Sequence, residues 1–281
     1  MKTDVIISIA KKEIMDNIRN KWIILVSVMF ALLTLVVSYF GSLGSHGWQN
    51  LGTTISDMAS LVTYLVPIIA LILAYATIIG EIERGSMNSL LSLSATRFEI
   101  ILGKFLGLAC VLCFTIIIGF GAAGLMIAAN VSNVNYADYG IFIGVTMLLG
   151  LVFLSVALFF STLFNKRSTA MGSAIFLWFL FNLILPIVFI GLLATSIDIT
   201  ELALGNSIVI PGWYHVLTLF NPTSVYSSLL TNAIAPVSSM NASSMIPAPS
   251  WYSSGLLIGV LLAWIIVFFV LADWRFQRKD I

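Results

Sequence analysis

Six long apolar runs, none containing Asp, Glu, Lys, Arg or His, dominate this 281-residue chain. They cover roughly 22–40, 59–79, 105–129, 139–164, 170–195 and 253–272. A helix of about 20 apolar residues matches the ~30 Å hydrocarbon thickness of a bilayer. A backbone that crosses lipid must satisfy its own hydrogen bonds, so a helix is the economical solution for each run. Only 9% of the residues are charged, too few to wet the surface of a soluble domain of this size. The expected fold is an all-α integral membrane protein, a single transmembrane domain over 1–281 with six spans.

The 13 Lys and Arg residues fall in four groups, within 2–21, 84–104, 166–167 and 275–279. All can lie on one side of the membrane, and basic residues flanking spans stay in the cytoplasm. Both termini are therefore expected inside. The segments 41–58, 130–138 and 196–252 contain no Lys or Arg and are expected outside, the last as a large extracellular loop. Its apolar stretches 208–219 and 225–234 are too short to span, so they either pack on the outer face or re-enter the membrane partway. The first run follows a long charged lead and reads as an uncleaved span rather than a removed signal.

Residues 1–21 form the lead. Ile6, Ile7, Ala10, Ile14 and Ile18 make a stripe at helical spacing, with Ser8, Lys12, Asp16 and Arg19 opposite. Such a helix either lies in the cytoplasmic interface or leads as a soluble helix into the first span.

The spans carry no ionisable group to bind or relay a coupling ion, which argues against a secondary transporter or an intramembrane protease. The chain also lacks a Gly-x-x-x-x-Gly-Lys-Ser/Thr phosphate loop. It is expected not to be an enzyme by itself and to hold no cofactor. An ATP-driven process would need a second, cytoplasmic protein. Scattered basic residues without a basic domain exclude nucleic acid as a partner.

The inside segment 80–104 is the natural dock for that second protein. Glu81, Glu83 and Arg84 crowd the end of the second span. Ser86–Ser92 can form a short coupling helix with an apolar ridge of Met87, Leu90 and Leu91. Glu81 and Glu83 either transmit a stroke through salt bridges or merely cap the span near water. Arg97 and Lys104 either contact the ATPase or anionic lipid, or serve only as positive-inside anchors.

Glu81-x-x-x-Gly85-Ser86-x-x-x-Leu90-Leu91-Ser92, Thr96-Arg97 and Leu102-Gly103-Lys104 resemble the signature of type-2 ATP-binding-cassette (ABC-2) permeases. Ser161, Phe164, Ser168-Thr169-Ala170, Trp178, Asn221-Pro222 and the tail Trp274–Ile281 resemble the branch that includes the nitrous oxide reductase maturation transporter. One departure is Ser94, where the family usually carries proline. The resemblance implies a permease homodimer over two copies of a cytoplasmic ABC ATPase, with ATP and Mg on that partner, in the plasma membrane. It implies an exporter by family habit, coupled through Glu81, Glu83, Arg84, Gly85, Ser86, Met87, Leu90, Leu91 and Arg97. The alternative is a mechanotransmitter or anchor that passes ATPase motion to an extracytoplasmic protein partner without moving a substrate.

Other candidates read more plainly. Cys110 and Cys113 in an apolar run favour core packing over redox chemistry. His46, His215, Met58, Met240 and Met245 fall at or near outer segments without metal-ligand spacing. Asn130 and Asn241 open sequons for N-glycosylation in predicted outer loops. Gly103/Gly107, Gly140/Gly144 and Gly255/Gly259 have the four-residue spacing of close helix packing.

Overall fold

The computed structural model describes residues 3–40, 51–87, 95–130, 135–196, 210–234 and 249–279, and these are helical with short connections. Helix α1 is Thr3–Ile18 and α2 is Lys21–Phe40. Helix α3 covers Leu51–Ala74, and α4 is the short Ile79–Glu83. Helices α5, Arg97–Asn130, and α6, Tyr136–Leu163, form the next pair. Helix α7, Arg167–Phe179, passes through one π-helical turn, Leu180–Ile184, into α8, Leu185–Ala194. Helices α9, Gly212–Thr218, and α10, Pro222–Ala233, precede α11, Ser254–Gln277.

Among the described residues five stretches are long and apolar enough to cross a membrane: Thr54–Glu83, Arg97–Ala129, Tyr136–Leu163, Arg167–Ala194 and Ser254–Gln277. Helix α2 is 20 residues long and carries an apolar stretch at Ser27–Val37. Helix α6 is the centre of the bundle, with α3, α5, α10 and α11 packed around it. Its most apolar window is 67% buried, against 11% for the α7–α8 span, which stands at the rim.

Local chemistry moves several boundaries from the expected ones. The third span starts at Arg97 because Thr96 and Glu99 form a reciprocal capping box. Glu99 donates its backbone N–H to Thr96 Oγ1 (3.2 Å), and Thr96 donates its own to Glu99 Oε2 (3.0 Å). Arg97 to Lys104, expected as loop, are therefore two turns of helix. Helix α3 begins at Leu51, so Asp57 lies on an exposed helical position rather than in a loop. Helix α11 runs on to Gln277, past the expected end at 272.

The second span breaks at Tyr75–Ile78, where the α-helical ladder is interrupted. Ser161 Oγ of α6, fully buried, accepts the freed N–H groups of Ile78 (2.9 Å) and Ile79 (3.2 Å). This elbow turns α4 across the inner end of the bundle.

The described part of the segment between α8 and α11 packs back into the bundle. Helix α10 starts at Asn221, whose side chain caps it by accepting from Thr223 N (3.1 Å) and donates to Phe181 O (2.8 Å). Phe181 lies 14 residues from Arg167 and 13 from Ala194, the middle of its span. Eleven residues later Asn232 donates to Tyr252 O (3.0 Å), beside the start of α11. At 1.5 Å per residue, the hairpin tip sits about 16 Å below that outer rim. Tyr226 is fully buried between, with its hydroxyl 3.2 Å from Thr146 Oγ1.

Of the glycine pairs, only Gly103/Gly107 meets another helix; a Cβ at Gly140, Gly144, Gly255 or Gly259 would find nothing within 4 Å. Cys110 is exposed rather than packed in the core, on an apolar groove between α1, α2 and α5. Among the described residues no cluster of His, Cys, Asp and Glu could hold a metal. His46, Met240, Met245, Ser94 and Asn241 lie outside the described residues. Asn130 is the last residue of α5.

Candidate functional site

The end of the bundle that carries the basic residues is built around one close helix crossing. A Cβ on Gly103 would stand 2.8 Å from Ile9 Cβ, and one on Gly107 would stand 2.7 Å from both Ala10 O and Glu13 Cβ. Only glycine lets α1 lie this near the α5 backbone. The buried face of α1 is Ile6, Ile9 and Glu13, while Ile7 and Ile18 of the expected stripe stay exposed. Glu13 is thereby pressed against Lys104, the residue next to Gly103.

Lys104 is 1% exposed and lies against two carboxylates. It donates to Glu13 Oε1 and stands 2.9 Å from Glu81 Oε2, the latter contact being an ion pair rather than an aligned hydrogen bond. Lys12 Nζ closes the set, 3.2 Å from Glu81 Oε1, with its own side chain partly in solvent. Two cations and two anions thus balance, and three elements are joined: α1, the elbow helix α4 and α5. Unpaired, any of these buried charges would carry a heavy desolvation cost. Within the chain Lys104 and Glu81 are both buried and engaged in ion pairs. The burial and the pairing are consequences of the Gly103/Gly107 crossing.

A second link ties the elbow to the fifth span. Glu83 Oε1 accepts the backbone N–H of Arg167 at 2.7 Å, at the first turn of α7, where the helix dipole favours an anion. Arg167 lies over the Tyr75 ring at 5.6 Å and donates to its hydroxyl (3.2 Å). Arg84 is exposed and donates Nε–H to Gly80 O (2.9 Å). Gly85 ends the turn at φ +72, the left-handed position where a Cβ is costly. Ser86 is exposed and donates its hydroxyl to Glu81 O at 3.3 Å.

Met87 is fully buried among Ile78, Ile100, Leu158 and Phe276. It belongs to the inner core and not to an exposed ridge. Leu90 and Leu91 lie outside the described residues. Arg97 is a cap for another helix: its guanidinium donates to Phe276 O (2.7 Å), Gln277 O (3.3 Å) and Lys279 O (2.6 Å) at the end of α11. Lys279 reciprocates, donating to Thr162 O (2.9 Å) and Phe164 O at the end of α6. Burial pulls the Lys279 ammonium below its usual range, and nearby Arg275 adds to this.

Sequence reasoning found Glu81, Glu83 and the glycine pair but missed Glu13, Arg167 and Lys279. A signal for Glu13 was present: it continues the Ile6–Ile9 face and so puts a carboxylate on a buried side. Arg167 and Lys279 read only as anchors, because their partners are backbone groups distant in sequence.

The described residues thus form a bundle of helices long and apolar enough to cross a membrane, with paired charges at one end. Residues 7–281 match the model of the ABC-2 family transporter proteins, and the chain belongs to that family. It is an integral membrane protein and an ABC transporter membrane subunit, a class that works with a partner ATPase. It is 37% identical to the probable ABC transporter permease protein NosY of Stutzerimonas stutzeri, over 97% of this chain and 98% of that protein. It is 35% identical to the protein of the same name from Pseudomonas aeruginosa, over 99% of each.

Proposed function

We propose that this chain is the six-span permease of an ATP-driven complex, with both termini cytoplasmic, and that its inner charge cluster passes the partner's stroke to the spans. Helix α2 supplies the first span and α1 lies in the cytoplasmic interface, its exposed Ile7 and Ile18 toward lipid. The observation that carries this reading is the Lys12–Glu81–Lys104–Glu13 set, which joins the expected docking segment to two other elements. A displacement of α4 must drag α1 and α5 with it, because separating them leaves buried charges unpaired. Glu83 adds the fifth span to the same linkage. Two copies of the chain over two ATPase subunits, working as an exporter, complete the proposal.

Reconstitution with its ATPase tests it. Glu83→Lys breaks the contact to Arg167 N and is expected to lower stimulated ATP turnover while leaving membrane insertion intact. Unchanged stimulation would sink the relay; failure to co-purify any ABC ATPase would sink the permease reading itself.

A further inference from the structure

A polar funnel opens at the outer end of the bundle and reaches the middle of the fifth span. Its volume is about 680 Å³. Helix α3, the π-helical turn and the re-entrant α9–α10 hairpin wall it. Among the described residues its lining carries no Asp, Glu, Lys or Arg.

The π-helical turn explains its floor. Leu185 N donates to Leu180 O, five residues back, instead of to Phe181 O. Pro186 contributes no N–H. Phe181 O is therefore free and is taken by Asn221 Nδ2 (2.8 Å) and Thr223 Oγ1 (3.4 Å). The neighbouring Asn182 lines the funnel at 9% exposure, and its Oδ1 has no partner. Its Nδ2 is committed to Trp178 O at 3.1 Å. His215 Nε2, also on the lining, is buried without a partner.

Four hydroxyls on the lining donate within their own helices. Ser60 donates to Ser56 O, Thr63 to Ala59 O, Ser227 to Thr223 O and Thr218 to His215 O. A hydroxyl that donates to its own helix presents only lone pairs outward. These four and Asn182 Oδ1 offer acceptors to the funnel, and the described lining bears no Asp, Glu, Lys or Arg. Acceptors repel an anion, and a cation would lose hydration with no counter-charge to offset it. The rings of Tyr64, Tyr214 and Tyr252 add flat apolar faces.

We propose that this funnel binds an uncharged solute rich in O–H or N–H donors, with Asn182 Oδ1 as its deepest acceptor. A polyhydroxylated solute and a neutral amide share this chemistry. The site is independent of the inner relay, and loss of ATPase coupling would leave it standing.

Saturation-transfer NMR on the full chain in lipid nanodiscs tests it, using a neutral disaccharide, a blocked dipeptide amide and the matching sugar acid and peptide carboxylate. At least one neutral probe is expected to bind, with its anionic counterpart at least tenfold weaker. Asn182→Leu is expected to weaken binding at least tenfold, and Asn182→Asp to shift preference toward the matching amino sugar. Ser227→Phe fills the funnel from another helix and should also abolish binding, which keeps the test sound if Asn182→Leu misfolds. Binding of the disaccharide alone assigns polyols, and of the peptide alone assigns amides. No binding by either neutral probe, equal binding of the anions, or wild-type binding by both Asn182→Leu and Ser227→Phe would overturn the proposal.

Discussion

Lys104→Met isolates the most consequential contact in this protein. Lys104 is 1% exposed and, among the described residues, pairs with the Glu13 carboxylate, whose side chain is 8% exposed. Its loss strands the Glu13 carboxylate, while Glu81 keeps the partly solvated Lys12. Removing one member of a buried pair costs about 3–5 kcal/mol, whereas the exposed half of the set contributes within about 1 kcal/mol. Lys104→Met alone should therefore destabilise by about 3–5 kcal/mol. Adding Glu13→Leu removes the stranded charge and fills the same space with apolar volume. Replacing a buried pair by hydrophobic groups is often neutral, so the double variant should recover most of the loss, about 2 kcal/mol or more. Denaturant unfolding in micelles, followed by tryptophan fluorescence, reads all four corners of the cycle. A neutral Lys104→Met, or a double variant no more stable than the single, would refute the buried-pair account.

Further predictions follow from the same contacts. Gly107→Leu drives a side chain into the Ala10 backbone at 2.7 Å and should release α1, seen as faster tryptic cleavage at Lys11 and Lys12 and a loss of about 1–3 kcal/mol. Arg97→Met strips three carbonyls at the end of α11 of a charged donor and should cost about 1.5–3 kcal/mol, with faster amide exchange confined first to the last turn of that helix. Burial lowers the pKa of His215 below the ordinary 6.5, so the folded protein holds this ring neutral. The unfolded chain binds the extra proton first; the contribution of His215 is whole above pH 6.5 and is lost as pH falls below it, with amide exchange rising in α9. His215→Gln should remove that pH dependence.

The all-helical, membrane-crossing class was legible because charge-free runs of this length have few other uses, and five of the six expected runs fall on helices long and apolar enough to cross a membrane among the described residues. Asn135, Thr96 and Ser253, which set helix starts, were readable as polar residues just before apolar periods, yet the capping box at Thr96 and Glu99 went unread inside an expected loop. The GxxxG spacing at Gly103 and Gly107 pointed to packing, but nothing local named α1 as its partner. The same spacing at Gly140/Gly144 and Gly255/Gly259 has no intrachain contact, which shows how little spacing alone decides. Glu81 was found by its position, and salt bridges were one of its two readings, but its partners were not legible: they lie 69 residues upstream and 23 downstream, and only the folded crossing brings them together. The π-helical turn was illegible, since Pro186 signals a break without saying which carbonyl it frees or that Asn221 will take it.

Glu81 is the residue on which the central claim rests, because it alone contacts both Lys12 and Lys104 from the elbow. Glu81→Leu cuts both contacts while leaving Lys104 paired to Glu13, so the helix crossing should survive. The decisive measurement is stimulated ATP turnover in vesicles carrying the variant with its ATPase, alongside co-purification of the two. A relay through this cluster predicts intact association with at least tenfold lower stimulation; full stimulation with intact association would contradict it.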